Sequence, residues 1–173
     1  MRRGNDAYYT PGRCAVACVG AFSRHVVDRS ARIVEPSCGD GAFIRALDDA
    51  GYSSVAGFDV ADGCDYLAQD PGPHRIARHV VGNPPYRHAE EFVRRSLSDV
   101  DRGGVVAFLL RLGFLESTKR LAFWENSPAR EVVVLAERPS FTGDGKTDGC
   151  AYGFFIWRKG WIGDTTIRVM SWR

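Results

Sequence analysis

The chain has 173 residues, of which 45% are hydrophobic and 12% aromatic, so it is long enough for one ordinary globular domain with a sizeable core. Its formal net charge of +2 divides unevenly, at +4 over residues 1–32, −5 over residues 33–110 and +3 over residues 111–173, which weakly favours a polyanion bound by the terminal segments. No run approaches the roughly 20 apolar residues of a membrane span, and the first residues lack the apolar core of a secretory signal, so we expect no membrane association and a cytoplasmic location.

Apolar runs alternate along the chain with amphipathic segments. The spacing of apolar residues predicts helices over residues 13–29, 42–51, 89–100 and 116–126. Strands are predicted over residues 33–35, 54–60, 75–82, 103–112 and 129–139, and two more within residues 149–173 across a Gly-containing turn. Strands that alternate with helices predict an α/β fold with a mainly parallel sheet, helices on both faces and an antiparallel C-terminal hairpin, in one domain over residues 1–173.

The five cysteines are odd in number and scattered, without a C-x-x-C pair or a His spacing that would close a zinc site. Cys14 and Cys18 share one helical face, where core packing is favoured over metal binding. The tryptophans of the tail alternate with Arg and Lys, and core or edge packing is favoured there over stacking on nucleotides. We therefore expect no metal in this protein.

Three predicted strands end in segments that suit chemistry. The first runs from Glu35 into the Gly-rich segment EPSCGDGAF, whose glycines allow close approach of the backbone to a ligand. The second ends in Asp59, a carboxylate that can bond the hydroxyls of a ribose. The third ends in Asn-Pro-Pro-Tyr at residues 83–86. Because ligands of such sheets bind beyond the carboxyl ends of parallel strands, we expect the three segments to lie together.

These segments, in this order, resemble the S-adenosylmethionine-dependent methyltransferases, and among them the DNA amino-methyltransferases of the N6-adenine type, including small phage-encoded members. AYYTP resembles the segment at the cofactor's methionine end, EPSCGDGAF the cofactor loop, GFDV the ribose-binding acid, CDYL the adenine-contacting segment and GNPPY the catalytic tetrapeptide. The resemblance implies a Rossmann-like class I methyltransferase fold and S-adenosylmethionine as cofactor. The cofactor-binding residues that it implies are Tyr8, Tyr9, Thr10, Pro11, Glu35, Pro36, Ser37, Gly39, Gly41, Asp59, Val60, Asp65, Tyr66 and Asn83.

The resemblance also implies a reaction, the direct transfer of a methyl group to the exocyclic N6 amino group of adenine in DNA. That nitrogen is a poor nucleophile, because its lone pair is delocalised into the ring. In this interpretation the side-chain oxygen of Asn83 and the carbonyl oxygen of Pro84 accept from the amino group, and Tyr86 stacks on a base that has left its helix. Pro84 and Pro85 make the turn rigid before substrate arrives.

Three further residues are candidates for substrate binding. Phe141 resembles the family's second stacking aromatic, and the alternative is a surface loop with Phe141 folded inward. Lys146, in the same loop, is available for a phosphate. Arg111 ends an apolar strand and either pairs with an acid such as Glu116 or meets a phosphate at the catalytic mouth. Asp65 has an alternative too, because it could cap a helix instead of contacting the cofactor.

Two departures from the family pattern bear on partners. Only five residues separate Asp59 from Asp65, where the family has a helix and part of a strand, so we expect the sheet to lose an element. No block resembles a target-recognition domain, so we expect a recognition partner or a homodimer to complete the DNA interface. RNA adenine methylation, methylation of a protein glutamine and a non-catalytic module that binds cofactor or nucleic acid are the alternatives.

Overall fold

The structure is a computed structural model that describes residues 9–68, 77–141 and 149–173. Its four α-helices and seven strands, within those ranges, are α1 Gly12–Ser23, β1 Ile33–Glu35, α2 Ala42–Asp49, β2 Val55–Gly57, β3 His79–Gly82, α3 Ala89–Asp99, β4 Val105–Arg111, α4 Leu121–Asn126, β5 Glu131–Leu135, β6 Tyr152–Arg158 and β7 Thr166–Met170. No helix in this part of the chain is long and apolar enough to cross a membrane.

All seven strands form one sheet in the order β2-β1-β3-β4-β6-β5-β7. Strand β6 is antiparallel to both of its neighbours, and every other pairing is parallel. The predicted α/β class with a mainly parallel sheet is confirmed. The two C-terminal strands do not pair with each other, however, because β5 lies between them. This corrects the expected hairpin: β6 satisfies its backbone groups along seven residues of β4 and four of β5 instead.

Helices cover both faces of the sheet, and the side chains of β4 show how. Val105, Ala107 and Leu109 belong to the core that includes the buried residues of α1 and α2, whereas Val106 and Phe108 belong to the core beneath α3 and α4. Successive residues of a strand point to opposite faces, so a continuous apolar run such as VVAFLL is what a strand buried on both sides requires. The two cores together hold the strand ends in fixed positions.

The predicted helix over residues 13–29 is too long, because α1 ends at Ser23. Val26 keeps the helical apolar pattern by packing into the core, although its backbone has left the helix. The hydroxyl of Tyr52 donates to the Val26 carbonyl oxygen at 2.7 Å and satisfies it. The predicted helix over residues 116–126 is also shorter, since Ser117 has a φ of 143° and its hydroxyl accepts from the Lys119 N–H in a turn before α4.

Beyond β2, no strand follows at that edge among the residues that the structure describes. The short connection after Asp59 forms a single 3₁₀ turn, Val60–Asp62, in which the Asp59 side chain accepts from the Ala61 N–H. The sheet therefore ends at β2 in this part of the chain, which agrees with the expected loss of an element.

The position of β6 inside the sheet can be tested by truncating one of its side chains. Phe154 is fully buried and stacks on Phe43 of α2 at a ring distance of 6.2 Å. We expect Phe154→Ala to lower the free energy of unfolding by about 3–5 kcal/mol, through lost burial and the cavity that remains. Ile167→Ala, on the exposed face of β7, should change it by less than about 0.5 kcal/mol. Urea denaturation measures both, and equal effects would contradict the sheet order.

Candidate active site

The carboxyl ends of β1, β2 and β3 meet at one edge of the sheet, as the strand-end segments predicted. Strand β1 lies between the other two, and Glu35 at its end is paired in register with Gly57 of β2. The Phe58 N–H donates to the Glu35 carbonyl oxygen at 2.9 Å, and the Cys38 N–H donates to the Phe58 carbonyl oxygen at 2.9 Å. These bonds fasten the Gly-rich loop after β1 to the end of β2.

The Gly-rich loop has a backbone that favours glycine at two positions. Gly39 has a φ of 49° and Gly41 a φ of 79°. The Asp59 carboxylate closes the loop, because one oxygen accepts from the Gly39 N–H and the other from the Ala61 N–H, both at 2.9 Å. The ring of Tyr9 covers Gly39, where a Cβ would lie 3.5 Å from it. The predicted loop, acid and tyrosine are thus in one place.

Glu35 is a buried carboxylic acid in the middle of this edge, only 2% exposed. A Cβ on Gly82 would lie 3.1 Å from the Glu35 Cγ, so a larger residue at this position would crowd the Glu35 side chain. Burial raises the pKa of Glu35 well above its usual value, and the charges of Asp40 and Asp59 add to the rise, while a hydrogen bond from the Ile44 N–H opposes it. Its Oε2 atom has no hydrogen-bond partner among the described residues.

Asn83 joins three separate segments of the chain. Its side-chain Nδ2 donates to the Thr10 hydroxyl oxygen at 3.1 Å. Its backbone carbonyl oxygen accepts from the Ser37 hydroxyl at 3.3 Å. Thr10 is buried, so the acceptor that it offers is held in place by the surrounding protein. The Oδ1 atom of Asn83 is buried.

A group of aromatic rings lies beside Asn83. The Tyr86 ring is 5.6 Å from that of Tyr152 and 6.3 Å from that of Phe141, and the Arg111 guanidinium lies over Tyr86 at 5.0 Å. Burial raises the pKa of Tyr86 well above its usual value, as does the neighbouring Tyr152, against a hydrogen bond with Asn83 and the charge of Arg111. The Arg111 Nε donates to the Tyr152 hydroxyl at 3.4 Å.

Phe141 is folded inward, with 8% of its surface exposed. This is the alternative that the sequence left open, yet the ring is next to Tyr86, where the resemblance expected it. Tyr152 was missed by the sequence analysis. Arg111 lies opposite Tyr152 in the register of β4 and β6. This pair cannot be predicted without knowing that β4 and β6 are neighbours in the sheet.

A cavity of about 330 Å³ opens from Tyr86 towards α3 and the turn before α4. Its lining residues are Tyr86, Arg87, Ala89, Glu90, Glu91, Arg94, Phe114 and Arg120. One glutamate faces two of the three arginines, since Arg94 bonds Glu90 at 2.9 Å and Arg120 lies 3.8 Å from the same carboxylate. The cavity gives solvent-side access to the aromatic group.

The remaining predicted residues lie at different depths. Pro36 and Pro84 are buried, Pro11, Ser37 and Pro85 are partly buried, and Val60 is 71% exposed. Asp65 is exposed, and its Oδ1 accepts from the Leu67 N–H at 2.9 Å, which is the capping geometry of its alternative interpretation. Tyr8 and Lys146 lie outside the described residues.

Tyr66 is not part of the exposed edge. It is 2% exposed, its ring packs on Phe92 of α3 at 5.4 Å, and its hydroxyl bonds Ser96 and Asp99 at 3.0 and 3.1 Å. Burial raises the pKa of Tyr66 above its usual value. The ring therefore anchors the segment after β2 to α3, and the predicted cofactor contact of Tyr66 stays a prediction. No group of three or more His, Cys, Asp or Glu side chains within the described ranges could hold a metal ion.

Solved structures share this fold across nearly the whole chain. The type I restriction-modification system methyltransferase subunit from Streptococcus thermophilus matches with a TM-score of 0.71 and 15% identity, over 95% of this chain and 47% of that one. A Listeria monocytogenes protein assigned as a class I S-adenosylmethionine-dependent methyltransferase matches with a TM-score of 0.69 and 14% identity, over 98% and 67% of the two chains. A Pyrococcus horikoshii protein assigned as an RNA methyltransferase matches with a TM-score of 0.62 and 13% identity, over 88% and 87%.

No protein-family model matches the sequence, and no curated protein sequence matches it either. At identities of 13–15%, the likeness to solved structures concerns the fold. That fold is Rossmann-like and is the fold of S-adenosylmethionine-dependent methyltransferases, for which S-adenosylmethionine is the expected cofactor. The chain spans about half the length of the Streptococcus thermophilus subunit.

The burial of Glu35 predicts a measurable cost in stability. The pKa of Glu35 in the folded protein is raised above 4.5. The protonated carboxyl therefore contributes its full stability to the fold below pH 4.5, and this contribution is lost as the pH rises through the folded pKa. We expect Glu35→Gln to raise the free energy of unfolding at pH 8 by about 1–3 kcal/mol, since a neutral amide replaces a buried charge. The gain should shrink at pH 5.

The matched control for this prediction is Glu125→Gln, which removes an exposed carboxylate. It should leave stability within about 0.5 kcal/mol at both pH values. Chemical denaturation of the three proteins at pH 5 and pH 8 gives the comparison. A Glu35→Gln protein that is less stable than the natural one at pH 8 would show that the Glu35 carboxylate is a structural partner rather than a strained site group.

Proposed function

We propose that this protein transfers a methyl group from S-adenosylmethionine to the exocyclic N6 amino group of adenine in DNA. The observation that carries the proposal is the meeting of three distant segments at Asn83. Thr10 accepts from the Asn83 side chain, and Ser37 donates to the Asn83 backbone carbonyl oxygen. The residue that would bind the target amino group is thereby hydrogen-bonded to the loop that would bind the cofactor. An ordinary surface turn with the sequence Asn-Pro-Pro-Tyr would not need these hydrogen bonds.

The geometry of Asn83 suits the activation of an amino nitrogen. An exocyclic amine must move towards a tetrahedral arrangement before its lone pair can attack, and two acceptors placed on its hydrogens favour that change. Donation from Nδ2 to the Thr10 hydroxyl fixes the orientation of the Asn83 amide, whose oxygen would be the first acceptor. The Pro84 carbonyl oxygen follows in the chain and is the second acceptor. Prolines at 84 and 85 keep the two acceptors preorganised.

The edge formed by β1, β2 and β3 suits the cofactor. The buried Glu35 has an oxygen without a hydrogen-bond partner among the described residues, which favours a polar ligand that brings a donor or a positive charge. Gly39 and Gly41 allow close approach, and Tyr9 covers the loop. The residues that would hold the cofactor are Tyr9, Thr10, Pro11, Glu35, Pro36, Ser37, Gly39, Gly41, Asp59, Val60, Asp65 and Asn83. When bound, the cofactor supplies an electrophilic methyl group, and the chain's own residues position the attacking nitrogen.

Asp59 would need to serve two purposes. Both of its oxygens accept backbone N–H bonds, and each carboxylate oxygen has a second lone pair for a ribose hydroxyl. The loop is thereby held in shape before the ligand arrives, which lowers the ordering cost of binding.

The aromatic group beside Asn83 suits a flipped base. Tyr86 is the stacking surface, with Phe141 and Tyr152 at its edges. Arg111 covers one face of Tyr86, so a base enters on the other face or displaces the guanidinium, which then reaches a phosphate. The cavity beyond Tyr86 carries three arginines that suit the neighbouring backbone.

The choice of DNA follows from the order of motifs, with Tyr-Tyr-Thr-Pro ahead of the cofactor loop and Asn-Pro-Pro-Tyr after it. A restriction-modification subunit and a protein assigned to RNA share the fold, so the fold alone does not select the nucleic acid. Specific protein–DNA interfaces bury roughly 1,000–2,500 Å² of protein surface. We propose that a recognition partner or a second copy of the chain contributes to that interface.

Asn83→Ala tests the reaction directly. We expect methyl transfer from labelled S-adenosylmethionine to fall by at least about 100-fold, the scale seen when one preorganised hydrogen-bonding group is removed from an active site. Cofactor binding, measured by calorimetry, should weaken much less than methyl transfer, because the other residues that would hold the cofactor remain. Nucleoside mass spectrometry must find N6-methyladenine in DNA with the natural protein. Label in RNA or in protein glutamine would show that the substrate is not DNA. Cofactor binding without any methyl transfer would favour a non-catalytic module.

Thr10→Val tests the positioning of Asn83. Valine keeps the buried volume but removes the acceptor for Nδ2, so the amide can rotate. We expect kcat to fall about tenfold, the equivalent of one hydrogen bond of about 1.4 kcal/mol. Thr10→Ser restores an acceptor and should recover most of kcat. Equal rates in the valine and serine variants would mean that Thr10 only packs.

A further inference from the structure

A second cavity lies at the opposite edge of the sheet from Asn83. It has a volume of about 390 Å³ and is lined by Arg24, His25, Arg130, Arg158 and Trp161. Arg158 is paired with the first residue of β4, whereas Arg111 at the catalytic edge is the last residue of that strand. From the first to the last residue of β4 there are six steps of about 3.3 Å, which separates the two edges by about 20 Å. None of the lining residues is acidic.

One buried carboxylate, that of Glu131, organises the basic groups beside this cavity. Its Oε1 accepts from the Arg168 Nε at 2.9 Å and lies 3.7 Å from the Arg24 Nη1, and its Oε2 lies 2.8 Å from the His25 Nε2. Burial raises the pKa of Glu131, but the bonds with His25 and Arg168 and the charges of Arg168 and Arg24 outweigh it, so the pKa is lowered. A single negative charge thus faces two guanidiniums and an imidazole, and positive charge remains in excess.

Trp161 and Arg130 form the other wall. The Arg130 guanidinium lies 3.9 Å from the centre of the indole ring, which orders it without neutralising it. Gly163 packs against the same indole ring, where a Cβ would lie 2.4 Å from it. A guanidinium that is stacked on an aromatic face keeps its in-plane N–H groups for an anion. The alternation of Trp with basic residues in the tail has its physical meaning here.

The basic character continues along the same edge of the sheet. Arg32 precedes β1, Arg78 precedes β3 and Arg130 precedes β5, so the amino ends of three parallel strands carry an arginine. Among the described residues of the adjoining loops, the acids are Asp28, Asp101 and Asp164, and the Asp28 carboxylate already accepts from the Ser30 N–H and hydroxyl. A row of arginines, rather than one pocket, suits an extended anion with repeated charges.

We propose that this basic edge binds the phosphate backbone of a nucleic acid, as a second contact separate from the catalytic edge. The inference rests on the proposed function only for the class of partner. Its content is that a long nucleic acid, or a second segment of it, is held about 20 Å from the target base. Contacts of this kind carry no sequence information, but they raise affinity, and they make it depend on salt.

The test is the salt dependence of binding to a fluorescent 30-base-pair duplex, measured by anisotropy for the natural protein and for Arg24→Gln/Arg158→Gln. Both arginines are exposed at the cavity, so the substitutions should leave the fold intact. We expect the slope of log K against log salt to lose about two units and the affinity at low salt to fall several-fold. Arg24→Lys/Arg158→Lys keeps the charges and should keep most of the slope.

Two further measurements identify the anion and separate this inference from the catalytic one. Calorimetry with inorganic phosphate shows whether the cavity takes a free anion: phosphate binding lost in the glutamine variant, with an unchanged duplex slope, would overturn the proposal. An unchanged slope without phosphate binding would overturn it as well. Methyl transfer at saturating DNA should be similar in the glutamine variant and the natural protein. A lost slope with no methyl transfer by any variant would contradict the proposed reaction alone.

Discussion

The pairing of β1 with both β2 and β3 is the constraint on which the candidate site depends. Parallel strands end at the same edge, so this pairing brings Glu35, Asp59 and Asn83 together although 48 residues separate the first from the last. The hydrogen bonds from Ser37 and to Thr10 then lock the third strand end to the loop after the first. Rearranging these strands would leave each motif intact in sequence and remove the site.

Much of this arrangement could be predicted from the sequence. The apolar runs gave the strands, because a parallel strand covered on both faces leaves a continuous apolar signal, and the Gly-rich and Asn-Pro-Pro-Tyr segments marked their ends. The end of α1 could not be predicted, since Val26 keeps the helical pattern while Tyr52, a residue 26 positions away, satisfies its backbone. The insertion of β6 between β4 and β5 could not be predicted either, because it depends on contacts between residues far apart in the chain. Only the three-dimensional order shows which strands pair, and with it that Tyr152 meets Arg111.

Two buried glutamates show how differently a carboxylate can be used in one domain. Glu131 has Arg168 and His25 as hydrogen-bond partners, and its pKa is lowered. Glu35 accepts one bond from the backbone of Ile44, has acids as charged neighbours, and its pKa is raised. A partnered carboxylate stabilises the fold, whereas one whose charge is disfavoured by its surroundings costs stability unless a ligand compensates. The contrast supports a structural role for Glu131 and a ligand-binding role for Glu35.

The uneven charge along the chain gains a spatial meaning from the fold. The acidic middle segment supplies Glu35, Asp40 and Asp59 to the carboxyl edge, where the proposed ligand carries a sulfonium and an ammonium group. The basic terminal segments supply Arg24, Arg130 and Arg158 to the amino edge, about 20 Å away. Opposite charges at opposite edges would suit the proposed cofactor at the carboxyl edge and the proposed second contact with a nucleic-acid backbone at the amino edge. On this view the net charge of +2 is the small difference between a basic charge on the terminal segments and an acidic charge on the middle segment, and each would suit its own proposed ligand.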